Sequence, residues 1–256
     1  MTMAPKVSIA IITLNEEGNI RRTLESVKWA DEIVVVDSGS IDRTVEICRG
    51  YTNKVFHQEW LGYAGQKNNA IDKTTGDWVL SIDADEPVEP ALSEEIRFIV
   101  HSEGACDGYR IPRKTFFLGK WMRYGGWYPD LNLRLFRRGK GRFEERAVHE
   151  ALKVDGTVGV TRHALEHHTY PDLASFMTTI NKYSSLAVDV MAQKRLSRAK
   201  TSWLSIVIRP LFTFFHKYVI RLGFLDGKRG LVLNLFHAYY VFAKYAKAWE
   251  RTVKRS

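Results

Sequence analysis

The chain has 256 residues, 45% of them hydrophobic and 26% charged, enough for one full core with an appendage or for two modest domains. It carries no low-complexity tract and no clear internal repeat, so the composition is globular and excludes a disordered or repetitive chain. The formal net charge of +9 is unevenly placed: residues 1 to 198 hold 27 Lys/Arg against 27 Asp/Glu, and residues 199 to 256 hold 11 against 2, which marks a basic C-terminal module.

VSIAIIT (Val7 to Thr13) is an uncharged, β-branched run suited to a strand buried on both faces. The apolar run before Asn15 and Glu16 is too short for a signal-peptide core, so the protein is expected not to be exported. An amphipathic stretch follows from Asn19 to Val27, then a second strand, EIVVVD (Glu32 to Asp37), a turn through Ser38, Gly39, Ser40 and Asp42, and a helix, TVEICRG, stopped by Gly50. KVFHQ (Lys54 to Gln58) and WVLSID (Trp78 to Asp83) complete the set. Strands alternating with helices predict an α/β fold with a mostly parallel sheet covered on both faces.

Such sheets bind ligands beyond the carboxyl ends of their strands. Those ends read Thr13-Leu14-Asn15-Glu16, Asp37-Ser38-Gly39-Ser40 and Asp83-Ala84-Asp85-Glu86, so polar and acidic residues gather at one edge. In an extended segment residues i and i+2 share a side, which lets Asp83 and Asp85 face one ligand. Hard divalent cations take oxygen donors, commonly one or two carboxylates plus substrate phosphates. Asp37 has two readings: it accepts hydrogen bonds from a ribose or base, or it starts the turn that follows. GxGxxG and GxxxxGK[ST] phosphate loops are absent, leaving metal and side chains to hold phosphate.

The pattern changes after Pro87. A helix is expected from about Pro90 to Val100, then strands in GYRIPRKTFFLGKW and LNLRLFRRG, joined by a Gly- and aromatic-rich link from Tyr124 to Pro129. VHEALKVDGTVG reads as a loop and hairpin, and Leu173 to about Arg195 as an amphipathic helix. Cys48 and Cys106 lack CxxC spacing and a neighbouring His cluster, so both are expected as buried free thiols in a reducing compartment.

The segments VSIAIITLNEE, EIVVVDSGSIDRT, GYAGQKNNAI and GDWVLSIDADE occur in the order and spacing of family 2 glycosyltransferases, and the chain resembles that family over its first 90 or so residues. The resemblance implies a GT-A fold, a nucleotide-sugar donor (a UDP-sugar) and Mg²⁺ or Mn²⁺. It places Thr13, Glu16 and Asp37 on the nucleoside, with Asn15 in the same segment, and Lys67, beside Asn68, near the base or diphosphate. Asp83 would contact ribose or metal, and Asp85 would ligate the metal. Many relatives carry Arg at the position of Lys67, so a point charge replaces a bidentate fork here. The resemblance also makes Glu150, in AVHEAL, the base that an inverting transfer needs, with His149 left to orient it, bind diphosphate or pack. GGWYPDLNLRLFRRG is similar to the family's acceptor stretch: Trp127 and Tyr128 would stack on a sugar, and Arg134 or Arg137 would meet a phosphate. A packing role for those rings is the alternative. The pair His167-His168 is a further candidate metal or phosphate contact.

The last 55 residues carry 12 of the 31 aromatics. Arg209-Pro210, Lys217 and Lys244 interrupt the charge-free runs, so neither run reaches the ~20 apolar residues of a spanning helix. Two amphipathic segments joined at Gly227-Lys228-Arg229-Gly230 are predicted to lie in the plane of a membrane. Packing on the catalytic domain or dimerisation would use the same faces. The aliphatic content favours lipid over nucleic acid. This tail resembles the C-terminal region of bacterial lipopolysaccharide inner-core glycosyltransferases, including those that add β-glucose to heptose. The expected organisation is a GT-A domain over residues 1 to 165, a linking helix over 166 to 200 and a membrane-associating region over 201 to 256, on the cytoplasmic face of the inner membrane, with a glycolipid acceptor. Transfer to polyprenyl phosphate, nucleotidyl transfer and a non-catalytic membrane-binding module remain alternatives.

Overall fold

The structure is a computed structural model that describes residues 4 to 145, 150 to 170, 172 to 193 and 202 to 253. His149 lies outside the described residues. The β-branched runs form the strands β1 (Val7–Thr13), β2 (Glu32–Asp37), β3 (Val55–His57) and β4 (Trp78–Asp83). They hydrogen-bond in the order β3-β2-β1-β4, every pair parallel. Parallel neighbours need crossovers, supplied here by α1 (Ile20–Ser26), α2 (Thr44–Arg49) and α3 (Gly62–Asp72).

Strand alternation divides the apolar side chains between two faces. Ile9 and Ile11 of β1 join Ile20 and Leu24 of α1 and Leu92 and Ile96 of α4 (Pro90–His101) in one cluster. Ala10 faces the other way, with Ala64, Ala70 and Ile71 of α3. Both sheet faces are therefore dry, which is why these strands read as continuous apolar runs rather than alternating ones.

Beyond β4 the sheet is mixed. β5 (Gly108–Phe117) is paired by the short β6 (Lys120–Trp121), and β7 (Asp130–Arg137) runs antiparallel to both β4 and β5. β8 (Gly141–Glu144) pairs antiparallel with β9 (Ala151–Val154), while β10 (Val158–Val160) adds parallel to β5 and β11 (Leu165–Tyr170) also pairs β5. The hairpin expected within VHEALKVDGTVG does not form between neighbouring runs. Asp155 N–H donates to the Lys140 carbonyl at 2.8 Å, and the Asp107 carboxylate accepts from Thr157 N–H at 2.9 Å. Those two bonds turn the chain away at Gly156, whose φ of +131° and absent Cβ leave room for Asp107.

The chain forms two compact units, Met1–Lys114 with Asp130–His168 and Thr115–Pro129 with Thr169–Ser256. In the second, α5 (Leu173–Gln193) and α6 (Trp203–Phe215) both pack on α7 (Gly227–Val253). Phe117, Met122, Phe176, Ile180 and Leu233 form its apolar core. The helix connection falls earlier than expected. A π turn (His216–Ile220) and a 3-10 turn (Gly223–Asp226) link α6 to α7, and Gly227 to Gly230 are already helical. The reason is close approach: a Cβ on Gly230 would sit 2.1 Å from the Gly223 carbonyl oxygen. Among the described residues no helix is long and apolar enough to cross a membrane. Both cysteines are free, but only Cys48 is fully buried and Cys106 is half-buried.

Candidate active site

The strand order places the acidic edge. The chain runs outward from β1 to β3, then returns to the other side of β1 as β4, so the crevice beyond β1 and β4 is a topological switch point. In register, Thr13 lies beside Asp37 and Ile12 beside Asp83, which brings three strand ends level.

Asp37 is buried, and its carboxylate accepts from the backbone N–H groups of Gly39 at 2.8 Å and Ser40 at 2.9 Å. It thus shapes the turn, the second of its two sequence readings. Asn15, at φ 54°, secures the same turn: its N–H donates to Ser40 Oγ at 2.8 Å and its Oδ1 accepts from Ile41 N–H at 2.9 Å. Thr13 Oγ1 is buried and has no hydrogen-bond partner among the described residues. Glu16 is held above the usual carboxylate range, by burial first and then by the charges of Asp85, Asp42 and Asp83, against a bond from Asn19. Burial is the main cause, and the three aspartates near Glu16 add to it.

Cations buried beneath the edge answer it. Lys67, on α3, is 3% exposed and lies 2.9 Å from Asp83 Oδ1 and 2.8 Å from Glu150 Oε1. Arg134, on β7, donates to Asp83 Oδ2 at 3.0 Å and to Glu86 Oε1 at 2.8 Å. Arg113, on β5, reaches Glu86 at 3.2 Å and Asp130 at 2.6 Å. Burial disfavours ionised Asp83, but Lys67 and Arg134 outweigh it and hold the group well below the usual carboxylate range. Glu150 follows the same balance: burial raises it, Lys67 lowers it further, and it stays below its ordinary 4.5. Both groups are therefore ionised at neutral pH.

Asp83 ends its strand and Asp85 lies in the turn that follows. Glu86 N–H donates to the Asp83 carbonyl at 3.1 Å, closing a turn that ends the strand alternation on which the i, i+2 expectation rested. The Asp85 carboxylate lies 3.5 Å from Nε2 of His167, on β11. Burial, and then the charge of Arg113, push His167 down to about 4, so its imidazole is neutral near pH 7 and keeps a nitrogen lone pair. Among the described residues no group of three or more His, Cys, Asp or Glu closes into a metal cage. A carboxylate and a neutral imidazole side by side, with Asp83 and Glu16 close enough to act electrostatically, nonetheless form a donor set that suits a divalent ion completed by substrate oxygens.

Asn68, Arg134, Trp127 and Tyr128 each have defined neighbours. Asn68 exchanges two 2.9 Å hydrogen bonds with the Phe143 backbone, a structural contact that fixes α3 to β8. Arg134 sits among the strand-end carboxylates at 5% exposure, and Trp127 and Tyr128 are the rings expected to meet a sugar. Those two rings belong to the second unit, where Trp127 packs edge-on to His237 and Tyr128 edge-on to Trp121. Sequence reasoning gave no role to Glu86 or Arg113. The only local sign of Glu86 is its place directly after DAD, and Arg113 left none.

Carboxylates at the switch point of a doubly wound sheet, held by buried cations, define an α/β enzyme whose site lies at its strand ends. Residues 8 to 168 match the family model described as Glycosyl transferase family 2. The lipopolysaccharide core biosynthesis glycosyltransferase LpsC of Rhizobium meliloti (strain 1021) is 31% identical over 97% of this chain and 94% of its own length. An uncharacterized glycosyltransferase of Rickettsia felis is also 31% identical, over 97% of this chain and 91% of its own. Among solved structures, the mannosyltransferase PcManGT from Pyrobaculum calidifontis, in complex with GDP-Man and Mn²⁺, aligns with a TM-score of 0.55 at 16% identity, over 96% of this chain and 88% of that one. S. aureus TarS 1-349 in complex with UDP-GlcNAc aligns at 0.50, also at 16% identity, over 98% and 92%. The chain belongs to glycosyl transferase family 2: it is a glycosyltransferase with a GT-A-like α/β fold.

Proposed function

We propose that the protein moves a hexosyl group, glucose from UDP-glucose, with inversion onto a membrane-bound glycolipid of the lipopolysaccharide core. The observation that carries this reading is the bridge Glu150–Lys67–Asp83, which joins the base candidate to the strand-end acid through one buried cation. The likeness to LpsC along nearly the whole chain supports the acceptor class.

Asp85 and His167, with Asp83, would hold Mg²⁺ or Mn²⁺, which when bound neutralises charge on the diphosphate leaving group. Glu150 Oε1 takes the proton of the acceptor hydroxyl. The hydroxyl oxygen then bonds to the anomeric carbon as the bond to the nucleoside diphosphate breaks, in one displacement. Lys67 keeps Glu150 ionised for that role. Thr13, Glu16 and Asp37, with the turn secured by Asn15, form the nucleoside side. Trp127 and Tyr128 offer rings to an acceptor sugar.

Support for membrane contact comes from α6. Leu204, Ile208, Leu211, Phe212 and Phe215 recur at helical spacing and are each at least half exposed, an apolar stripe accompanied by exposed Arg221, Lys228 and Arg229. The enzyme would then sit peripherally on the cytoplasmic face of the inner membrane, with residues 1 to 165 carrying the transfer, 166 to 200 linking and 201 to 256 meeting lipid.

A panel of nucleotide sugars tests the reading. The true donor at about 100 times its Kd should stabilise the protein by about 2.7 kcal/mol only when Mn²⁺ or Mg²⁺ is present, and Asp85→Ala should abolish the effect. Glu150→Gln should leave that stabilisation intact while turnover falls on the order of 10²–10⁴-fold. Equal stabilisation without metal would overturn the metal assignment. Release of pyrophosphate in place of nucleoside diphosphate would mean nucleotidyl transfer, and undiminished turnover by Glu150→Gln on a phosphate acceptor would mean transfer to polyprenyl phosphate.

A further inference from the structure

The second unit contains a cavity of about 330 Å³ lined by Gly125, Gly126, Tyr128, His216, Lys217 and Arg221, together with Pro129. Three of these residues are basic types, and none is acidic. Lys217 is half-buried, its Nζ lying 5.7 Å from the Trp127 ring centre and donating to the Gly125 carbonyl at 3.2 Å. An ammonium has three N–H donors, and this is the one bond seen for it among the described residues. Among the described residues neither Lys217 nor Arg221 pairs with a carboxylate. The acid packed against this turn, Asp226, is occupied, accepting from the backbone N–H groups of Arg123 at 3.1 Å and Tyr124 at 3.0 Å.

Burying a cation without a counter-ion is costly, and half-buried Lys217 shows that cost. Burial and then Arg221 depress Lys217, while burial, Lys217 and Lys244 push His237 down to about 4. The arrangement is one that an anion would stabilise. Glycines at positive φ form the opposite wall: Gly125 at 68° and Gly126 at 77°, where a Cβ on Gly126 would come within 3.9 Å of Lys217 Nζ. The volume lies at the lower end of small-ligand pockets, larger than a bare phosphate needs and in keeping with a phosphate carried on a sugar.

We infer that the Lys217–Arg221 cavity is a phosphate-ester site that engages a phosphate borne by the acceptor. Its role in the reaction rests on the glycolipid acceptor proposed above, whereas its capacity to bind phosphate does not. Lys217 supplies a point charge. Arg221 supplies a planar fork, and Tyr128 lines the same cavity, offering a ring to a sugar attached to the phosphate.

The test is calorimetric titration of the full chain with inorganic phosphate and with a hexose phosphate, alongside flotation on phosphatidylcholine vesicles with and without phosphatidylglycerol. Lys217→Met and Arg221→Gln should each weaken binding on the order of tenfold, the loss of one charge-assisted contact. Lys228→Gln, which removes an exposed charge outside the cavity, should leave both titrations unchanged. Arg221 is exposed, so its variant reports binding even if Lys217→Met folds poorly. Loss confined to the hexose phosphate identifies a phosphorylated sugar. Loss confined to the anionic vesicles, exceeding that of Lys228→Gln, identifies a lipid headgroup. If neither variant alters either titration or the flotation on anionic vesicles, the site does not exist. Donor stabilisation measured on the same variants separates this result from a failure of the transfer reading, since the donor groups lie in the first unit.

Discussion

Lys67→Met is the most informative single change. The side chain is 4% exposed and serves two carboxylates, Asp83 at 2.9 Å and Glu150 at 2.8 Å. Removing one partner from a buried ionic network typically costs about 3–5 kcal/mol, because the remaining charges lose their compensation. Arg134 still holds Asp83, so the lower end applies to Asp83 and the larger consequence falls on Glu150. In the native protein Lys67 outweighs the burial that would otherwise raise Glu150, and the group stays below 4.5. Without Lys67, burial and the charge of Asp83 are opposed only by a backbone hydrogen bond, and the group rises. A general base is lost as pH falls through its own pKa, so the acid limb of the kcat/KM profile should lie below pH 4.5 in the wild type and move upward in the variant. Stability should follow the same sign. A depressed carboxylate contributes above its unfolded pKa and loses that contribution as pH falls, so the wild type's advantage over Lys67→Met should shrink as pH falls below about 4.5. The assays are a pH–rate profile at saturating metal and a urea titration at several pH values. An acid limb that stays in place would refute the bridge as the means of tuning Glu150.

Two further expectations concern stability and the membrane. Glu32 is half-buried, which alone would raise it, yet bonds from Lys54, Ser8 and Thr75 lower it from 4.5 to about 2. Its contribution should be complete above about pH 4.5 and disappear towards pH 2, so Glu32→Gln should destabilise the neutral protein and the gap in urea midpoint should narrow through that window; a pH-independent gap would mean the carboxylate's charge is not involved. On α6, Leu211→Glu with Phe212→Glu removes two side chains whose burial in lipid is worth about 1.5–3 kcal/mol each. Vesicle binding should fall by roughly two to four orders of magnitude with donor stabilisation unchanged, and wild-type vesicle affinity in the double variant would show that the stripe serves another surface.

How much of the site was legible follows from how each residue is positioned. Asp37 and Asn15 act on a turn within a few positions of one or both of them, and the strand-end pattern announced that turn. Asp83 was legible for the same reason, as the last residue of a β-branched run. Strand alternation stops at a turn closed by the Glu86 N–H bond to the Asp83 carbonyl, so the i, i+2 pattern by itself does not position Asp85. Asn68 sits in a family-like segment yet spends both amide atoms on the Phe143 backbone, which no local pattern discloses. The helix connection at Arg221 to Asp226 was placed late for a related reason. Gly227 to Gly230 looks like a linker, but Gly230 is small so that Gly223 can approach it.

The sequence by itself determined the parallel half of the sheet, its covering helices, the acidic edge and the basic, aromatic character of the last segment, because each is written in runs of neighbouring residues whose period or charge is read directly. Only the tertiary structure decided that Lys67 would stand between Asp83 and a glutamate 83 positions further on, that Arg134 would lie beneath the strand ends, and that His167 would meet Asp85. Those contacts depend on which strands become neighbours in the mixed half of the sheet. Strand order is settled by packing across the whole unit, and a one-dimensional pattern carries no record of it.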